Sequence, residues 1–213
     1  MEQRVTDFFK MLRTQKVGLV GFGVTNNGIA KMLAQKGIRV TIHDRQDRKE
    51  LGAVCQEMEE AGVSLSLGHN YLRSLNEDVI FRAPGVPFDL PELTAARKAG
   101  KVVTSDLEMF FDLCPCPIIG VTGSDGKTTT TTLIAEMLRA EGKTVHLGGN
   151  IGKALFPEIE TVQPEDYAVV ELSSFQLISL RRSPDISVVT NVSPNHLDIH
   201  GTMKAYVAAK RNI

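Results

Sequence analysis

"GVTGSDGKTTTTTLIAEMLRAEGK", residues 120–143, sets three glycines ahead of one lysine, follows them with five threonines and then settles into an apolar rhythm. Glycine lets backbone N–H groups come close to a ligand, lysine brings a point charge, and hydroxyls directly after it can reach a metal ion. The stretch reads as a phosphate cradle. The usual spacing, glycine, four residues and then Gly-Lys-Ser/Thr, is not met: Val121 stands five before Gly126, and Gly120 lies one place too early. Even so, an apolar segment, residues 117–121, precedes Gly123, Ser124, Asp125, Gly126, Lys127 and Thr128. Leu133, Ile134, Met137 and Leu138 follow at helical spacing. Strand, glycine loop and helix come in the order a phosphate loop requires, whereas a plain turn would leave Lys127 in solvent.

The 213 residues leave room for one large or two modest domains, and 42% hydrophobic content supports a real core. A formal net charge of -1 gives no broad basic field, so nucleic acid is not an expected partner. The opening "MEQRVTDFFKMLRTQ" is broken by charges, and no apolar run approaches the ~20 residues of a membrane span. A cytoplasmic, monomeric protein is expected. Cys55, Cys114 and Cys116 lack the second ligand pair of a structural zinc site and read as reduced thiols without a role.

"KVGLVGFGVTNNGIAKMLAQKGIRVTIHD", residues 16–44, reads as strand, glycine turn, helix with Ile29 and Leu33 on one face, a stop at Gly37 and a second strand alternating Ile38, Val40 and Ile42. Such a unit implies a parallel pair with a right-handed crossover. Further strands are expected near residues 79–81 and 102–103, with a helix near 90–99. A second unit follows, with strands near Ile118, Val145, Val169 and Val188, as a separate three-layer α/β domain. The boundary is expected just before Ser105, and the helical pattern running to Ile213 suggests a fragment.

"GFGVTNNG" resembles a dinucleotide fingerprint with Asn26 in place of the third glycine, and Asp44 ends the second strand. Asp44 reads equally as a solvated acid or as the partner of a ribose hydroxyl. On this evidence alone an NAD-dependent dehydrogenase is the competing function, and a binding module without catalysis is another. "YAVVELSSFQL" runs from a strand into Glu171, a carboxylate beside the phosphate loop that could hold magnesium or simply cap a helix. In "NVSPNHLDIHG", alternate spacing could bring His196, Asp198 and His200 to one side. In "GTMKAYVAAKRNI", Met203, Tyr206, Val207 and Lys210 fall on one helical stripe, so a lysine occupies an apolar position. Either its pKa is lowered by burial or its head snorkels into water.

Gly-x-Thr-Gly-x-x-Gly-Lys-Thr-Thr over residues 120–129, Gly-Gly-Asn-Ile-Gly over 148–152, Glu171, His196 in "NHLD" and Lys210 in "YVAAK" together resemble the Mur ligases, ATP-dependent amide-forming enzymes of peptidoglycan precursor synthesis. The displaced glycine spacing is that family's own. "ELSSFQL" resembles the branch that adds D-glutamate rather than a sibling ligase or a folylpolyglutamate synthase. The resemblance implies a Rossmann-like parallel-sheet N-terminal domain, residues 1–103, that binds UDP and no redox cofactor. It implies a truncated P-loop three-layer α/β central domain, residues 104–213, that binds ATP and Mg2+. The implied reaction activates UDP-N-acetylmuramoyl-L-alanine as an acyl phosphate, which the amine of D-glutamate attacks.

By the same resemblance Gly123, Ser124, Asp125, Gly126, Lys127, Thr128 and Thr129 bind ATP, and Thr128 and Glu171 hold one magnesium ion. A second sits near His196 and a carbamylated Lys210, with Lys127, His196 and Lys210 catalytic. Val24, Thr25, Asp44, Arg45 and Gly85 bind the uridine diphosphate part, Arg45 one place off the usual pattern. Asn150, Ser173 and His196 meet the muramoyl-alanine end. A chain lacking the family's third domain is expected not to turn over alone.

Overall fold

The computed structural model describes residues 2–151 and 153–213, so Gly152 of the Gly-Gly-Asn-Ile-Gly motif lies outside the described residues. The chain divides into two compact units, one ending at Asp106 and the other starting at Leu107.

In the first unit the strands are β1 (Lys16–Val20), β2 (Arg39–Asp44), β3 (Ser64–Leu67), β4 (Val79–Arg82) and β5 (Val102–Thr104). All pair in parallel, in the order β3-β2-β1-β4-β5. Helix α1 (Glu2–Leu12) opens the unit, α2 (Val24–Gln35) links β1 to β2, α3 (Arg48–Leu51) and α4 (Ala53–Glu60) lead to β3, and α5 (Pro91–Lys98) connects β4 to β5. Gly37, at φ 74°, ends the turn after α2, as the sequence indicates. Val20, Ile80, Leu93 and Val103 form a buried cluster between sheet and helix. Each such side chain contributes about 1.5–3 kcal/mol by leaving water. Because β1 departs on both sides, towards β2 and towards β4, the crevice for a ligand lies at its C-terminal end.

The second unit carries α6 (Asp106–Leu113), β6 (Ile118–Thr122), α7 (Lys127–Ala140), β7 (Val145–Gly149), a 3-10 turn over Phe156–Thr161, β8 (Tyr167–Glu171), α8 (Ser174–Leu177), β9 (Ile186–Val189), α9 (Leu197–His200) and α10 (Met203–Lys210). The parallel sheet runs β7-β8-β6-β9. All of β6 is buried, as expected of a central parallel strand.

Two sequence expectations change in detail. The buried face of α7 is carried by Thr131 and Ala135, with Ile134 and Leu138 packed on Val169 and Ile119, while Leu133 and Met137 are exposed. Residues at i, i+4 and i+7 from Thr131 share a stripe that Leu133 and Met137 do not join. On α10 the buried residues are Tyr206, Ala209 and Lys210, so Ala209 takes a place that the simple stripe gave to Val207. The three cysteines are free and buried.

Candidate active site

β6 delivers the chain to the glycine loop at the C-terminal edge of the second sheet. A Cβ on Gly123 would stand 1.9 Å from Thr190 Oγ1, so no larger residue fits beside β9. Gly126 sits in the left-handed region, at φ 77°, and turns the chain into α7. The outer side of the loop is clamped by the segment leaving β9. Asn191 accepts from Ser124 N through its carbonyl (3.0 Å) and from Asp125 N through Oδ1 (3.1 Å), and its Nδ2 donates to Asp125 O (3.0 Å). Sequence reading missed Asn191; a polar residue directly after a strand facing the loop was the available signal.

Ser124 is committed to structure. Its hydroxyl donates to Ser193 O (2.8 Å) and accepts from Ser193 N (2.9 Å), which leaves it to accept from Tyr206 Oη (3.0 Å). The N–H groups of Ser124 and Asp125 are likewise engaged, so the donors facing a ligand come from the first turn of α7, where helical N–H groups have no intrahelical partner.

Lys127 opens α7 and folds back, donating to Gly123 O (3.0 Å) and Ser124 O (2.9 Å). Thr128 Oγ1 donates to Glu171 Oε2 (2.7 Å), and Asn150 Nδ2 donates to Glu171 Oε1 (2.7 Å). Glu171 is 1% exposed, and among the described residues its hydrogen-bond donors are neutral. A buried carboxylate held by neutral donors is poised for a cation, and a hydroxyl and a carboxylate are hard oxygen ligands of the kind magnesium takes. Thr129 is exposed beside them.

Lys210 reaches the same loop from α10. It is 5% exposed, donates to Thr122 Oγ1 (3.1 Å) and Gly123 O (3.0 Å), and lies 4.8 Å over the Tyr206 ring. The head is therefore buried and does not snorkel. Burial, with the nearby Lys127 charge second, lowers its pKa to about 8.

His196, the N-cap of α9, is the one non-glycine residue at positive φ (52°) among the described residues, and its ring meets Phe175 edge-on at 5.2 Å. His200 stacks on Phe175 at 5.1 Å and bonds Ser174 Oγ at 2.9 Å. Burial, and then the charges of His196 and Lys210, lower its pKa. Asp198 is exposed, and among the described residues no three His, Cys, Asp or Glu side chains are placed to share a metal. Lys210 as a free amine does not complete a second metal site. Ser173 caps α8 in a reciprocal box with Gln176, so the Ser-x-x-Gln of "ELSSFQL" is a helix start as well as a motif.

In the first unit Val24, Thr25, Asp44, Arg45 and Gly85 all line one cavity of about 650 Å³ at the C-terminal ends of β1, β2 and β4. Asp44 is neither solvated nor free: its carboxylate accepts from Phe22 N (2.5 Å) and Gln46 N (2.8 Å), bracing the glycine turn. Asn26, in the place of the third glycine, donates to Gly21 O (2.8 Å) and Val20 O (3.2 Å) and so ties helix to strand through its side chain. Behind the cavity His43 bridges Tyr71 O (2.8 Å) and Glu77 (3.0 Å). Burial alone would raise Glu77, yet the His43 hydrogen bond and charge hold its carboxyl below its ordinary value.

The family model for the Mur ligase MurD-like N-terminal domain matches residues 15–105, and that for the Mur ligase middle domain matches residues 121–213. The chain belongs to the Mur ligase family. The match over the first unit displaces the dehydrogenase reading of its glycine turn. UDP-N-acetylmuramoylalanine--D-glutamate ligase from Clostridium botulinum (strain Loch Maree / Type A3) is 47% identical over 214 residues, covering 100% of this chain and 47% of that protein. The enzyme of the same name from Clostridium kluyveri is 45% identical with the same coverage. The chain thus spans about half the length of the curated relatives it matches. Two solved Mur ligase structures share the fold. UDP-N-acetylmuramate:L-alanyl-gamma-D-glutamyl-meso-diaminopimelate ligase from Neisseria meningitides superposes with TM-score 0.57 at 18% identity, over 93% of this chain and 67% of that one. UDP-N-acetylmuramate-alanine ligase from Thermotoga maritima gives 0.53 at 22%, over 93% and 46%.

Proposed function

We propose that the chain provides the substrate-binding and ATP-binding parts of an ATP-dependent ligase that joins D-glutamate to UDP-N-acetylmuramoyl-L-alanine through an acyl phosphate. The unit ending at Asp106 forms the UDP-binding domain and the unit from Leu107 the ATP-binding part, three residues later than the 103/104 boundary read from the sequence, because Thr104 still pairs with Phe81 in the first sheet. The observation that carries the reading is the Thr128–Glu171 contact at 2.7 Å, set at the mouth of a glycine loop on which Lys127 and Lys210 converge. The 45–47% identity to D-glutamate ligases supports the choice of amino acid.

The chemistry must bring a carboxylate and a triphosphate together, so neutralising their charge is the main task. Lys127, released from Gly123 O and Ser124 O, turns its ammonium towards the phosphates. Thr128 and Glu171 would hold one magnesium ion, which when bound supplies positive charge to the phosphate oxygens. The N–H groups at the start of α7 add donors there, with Thr129 at the rim. Asn150, Ser173 and His196 lie on the loops that follow β7, β8 and β9 and orient the muramoyl-alanine end. Lys210, with a neutral fraction unusual for lysine, is suited to add carbon dioxide: its amine nitrogen attacks carbon and a proton is lost, leaving a carbamate in place of a cation. Only that form would complete a second metal site with His196.

The test is ADP formation by the full-length protein with UDP-N-acetylmuramoyl-L-alanine, with and without D-glutamate, for wild type and Lys210→Ala. Strict D-glutamate dependence is expected, with loss in Lys210→Ala and partial return on adding formate. Equal rates with another amino acid would refute the assignment.

A further inference from the structure

We infer that Arg82 is the positioning residue of the first unit's cavity, holding the loop of residues 83–87 in the shape that receives a diphosphate-bearing nucleotide. The inference rests on the UDP reading of that cavity given above. Arg82 ends β4 and is 3% exposed. Its Nη1 donates to Val86 O (2.7 Å), Ala83 O (3.3 Å) and Pro84 O (3.4 Å).

All five residues of this loop line the cavity. Pro84 and Pro87 have no N–H, so the loop has few donors with which to close on itself, and one backbone bond, Val86 N to Ala83 O at 3.0 Å, does so. The guanidinium supplies what the backbone lacks. It also commits three carbonyl oxygens to a buried cation, keeping their negative ends from a space meant for phosphate.

The loop in turn presses on the glycine turn opposite. A Cβ on Gly21 would lie 2.8 Å from Ala83 Cβ and 3.0 Å from Val86 Cγ2. The position of the loop therefore sets the gap between the two walls of the cavity. Its far end is anchored by Arg97, which donates to Phe88 O (2.9 Å) and stacks on the Phe88 ring at 4.1 Å, with the Arg82 guanidinium 5.9 Å from the same ring. Ala83 N also donates to Val20 O (2.9 Å), tying the start of the loop to β1, and the Arg82 side chain grips the part that faces the ligand-binding turn through the carbonyls of Ala83, Pro84 and Val86. The arginine next to "APGV" thus has a role in binding without being required to touch the ligand.

The test compares wild type, Arg82→Met and Arg82→Lys by calorimetric titration with UDP, with melting temperature and amide hydrogen exchange measured on the same samples. Folded Arg82→Met is expected to bind UDP about tenfold or more weakly, with faster exchange at Gly85, Val86 and Phe88 and unchanged exchange in β1 and β2. Arg82→Lys, which keeps the charge and part of the carbonyl contacts, is expected to lose about two- to fivefold. A purely structural role would lower the melting temperature and leave UDP affinity of the folded variant unchanged; that result overturns the inference. Should Arg82→Met fail to fold, Arg82→Lys decides, and unchanged affinity there overturns it. A wild-type chain that binds no UDP would instead sink the nucleotide reading, and this inference with it.

Discussion

Lys127 and Lys210 donate to one oxygen, the Gly123 carbonyl, each at 3.0 Å, one from the first turn of α7 and the other from the last turn of α10. Two ammonium groups on one acceptor repel each other, and the more buried one yields: Lys210 falls to about 8, through burial first and the Lys127 charge second.

Stability should record this. The folded pKa of Lys210 lies below its ordinary 10.5, so between about pH 8 and 10.5 the unfolded chain holds a proton that the folded chain has released. The penalty for a buried cation is full below pH 8 and fades as pH rises through that window. In urea unfolding, Lys210→Met should therefore show its most favourable stability relative to wild type at pH 7. That advantage should shrink by on the order of 3 kcal/mol by pH 10.5. A difference independent of pH would contradict the shift. In Lys127→Met, the Lys210 pKa followed by NMR should rise.

Thr128→Val and Glu171→Gln remove the hydroxyl and the charge of the pair that bonds at 2.7 Å. Each should weaken magnesium-dependent ATP binding by about tenfold or more, read by calorimetry. The melting temperature of Glu171→Gln should hold or rise, because a buried charge is removed while the Asn150 contact remains possible. Unchanged affinity in both variants would exclude a role in holding the metal.

Gly123→Ala meets Thr190 Oγ1 at 1.9 Å and should destabilise the chain by about 2 kcal/mol or more. Paired with Thr190→Ala, the combined loss should be smaller than the sum of the single losses, since the clash partner is gone. Simple additivity in a denaturation cycle would show that the loop relaxes by another route.

The sulfurs of Cys114 and Cys116 lie 3.5 Å apart in the interior. Their mutual hydrogen bond lowers Cys114 and, with burial, raises Cys116. Ellman's reagent should titrate no thiol in the native chain and all three in urea. Fast reaction of native Cys114 or Cys116 would mean that this corner opens.

Much of the fold was legible because parallel strands are written as apolar runs and because Gly37, Gly123 and Gly126 mark turns that only glycine makes cheaply. The order strand, loop, helix placed Lys127 at the end of the glycine loop, and the apolar run of "YAVVE" placed Glu171 at the end of its own strand. What stayed hidden depends on partners distant in sequence. Asn191 clamps a loop 66 residues earlier, and only the neighbouring strands β6 and β9 bring it there. Asn26 looked like a defect in a glycine fingerprint, yet its amide ties α2 to β1. The α7 stripe was misjudged at Leu133 and Met137 because hydrophobic spacing alone does not tell which of two adjacent faces meets the sheet. For Lys210, spacing gave the stripe, and only Thr122 and Gly123 show that the ammonium stays inside.

The most direct measurement is a crystal structure of the chain soaked with magnesium and a non-hydrolysable ATP analogue. The expected density places the phosphates at the start of α7, Lys127 Nζ moved off Gly123 O and Ser124 O onto them, and a metal between Thr128 Oγ1 and Glu171. An empty loop with Lys127 still on those two carbonyls, or a nucleotide bound elsewhere, would contradict the assignment of this site to ATP.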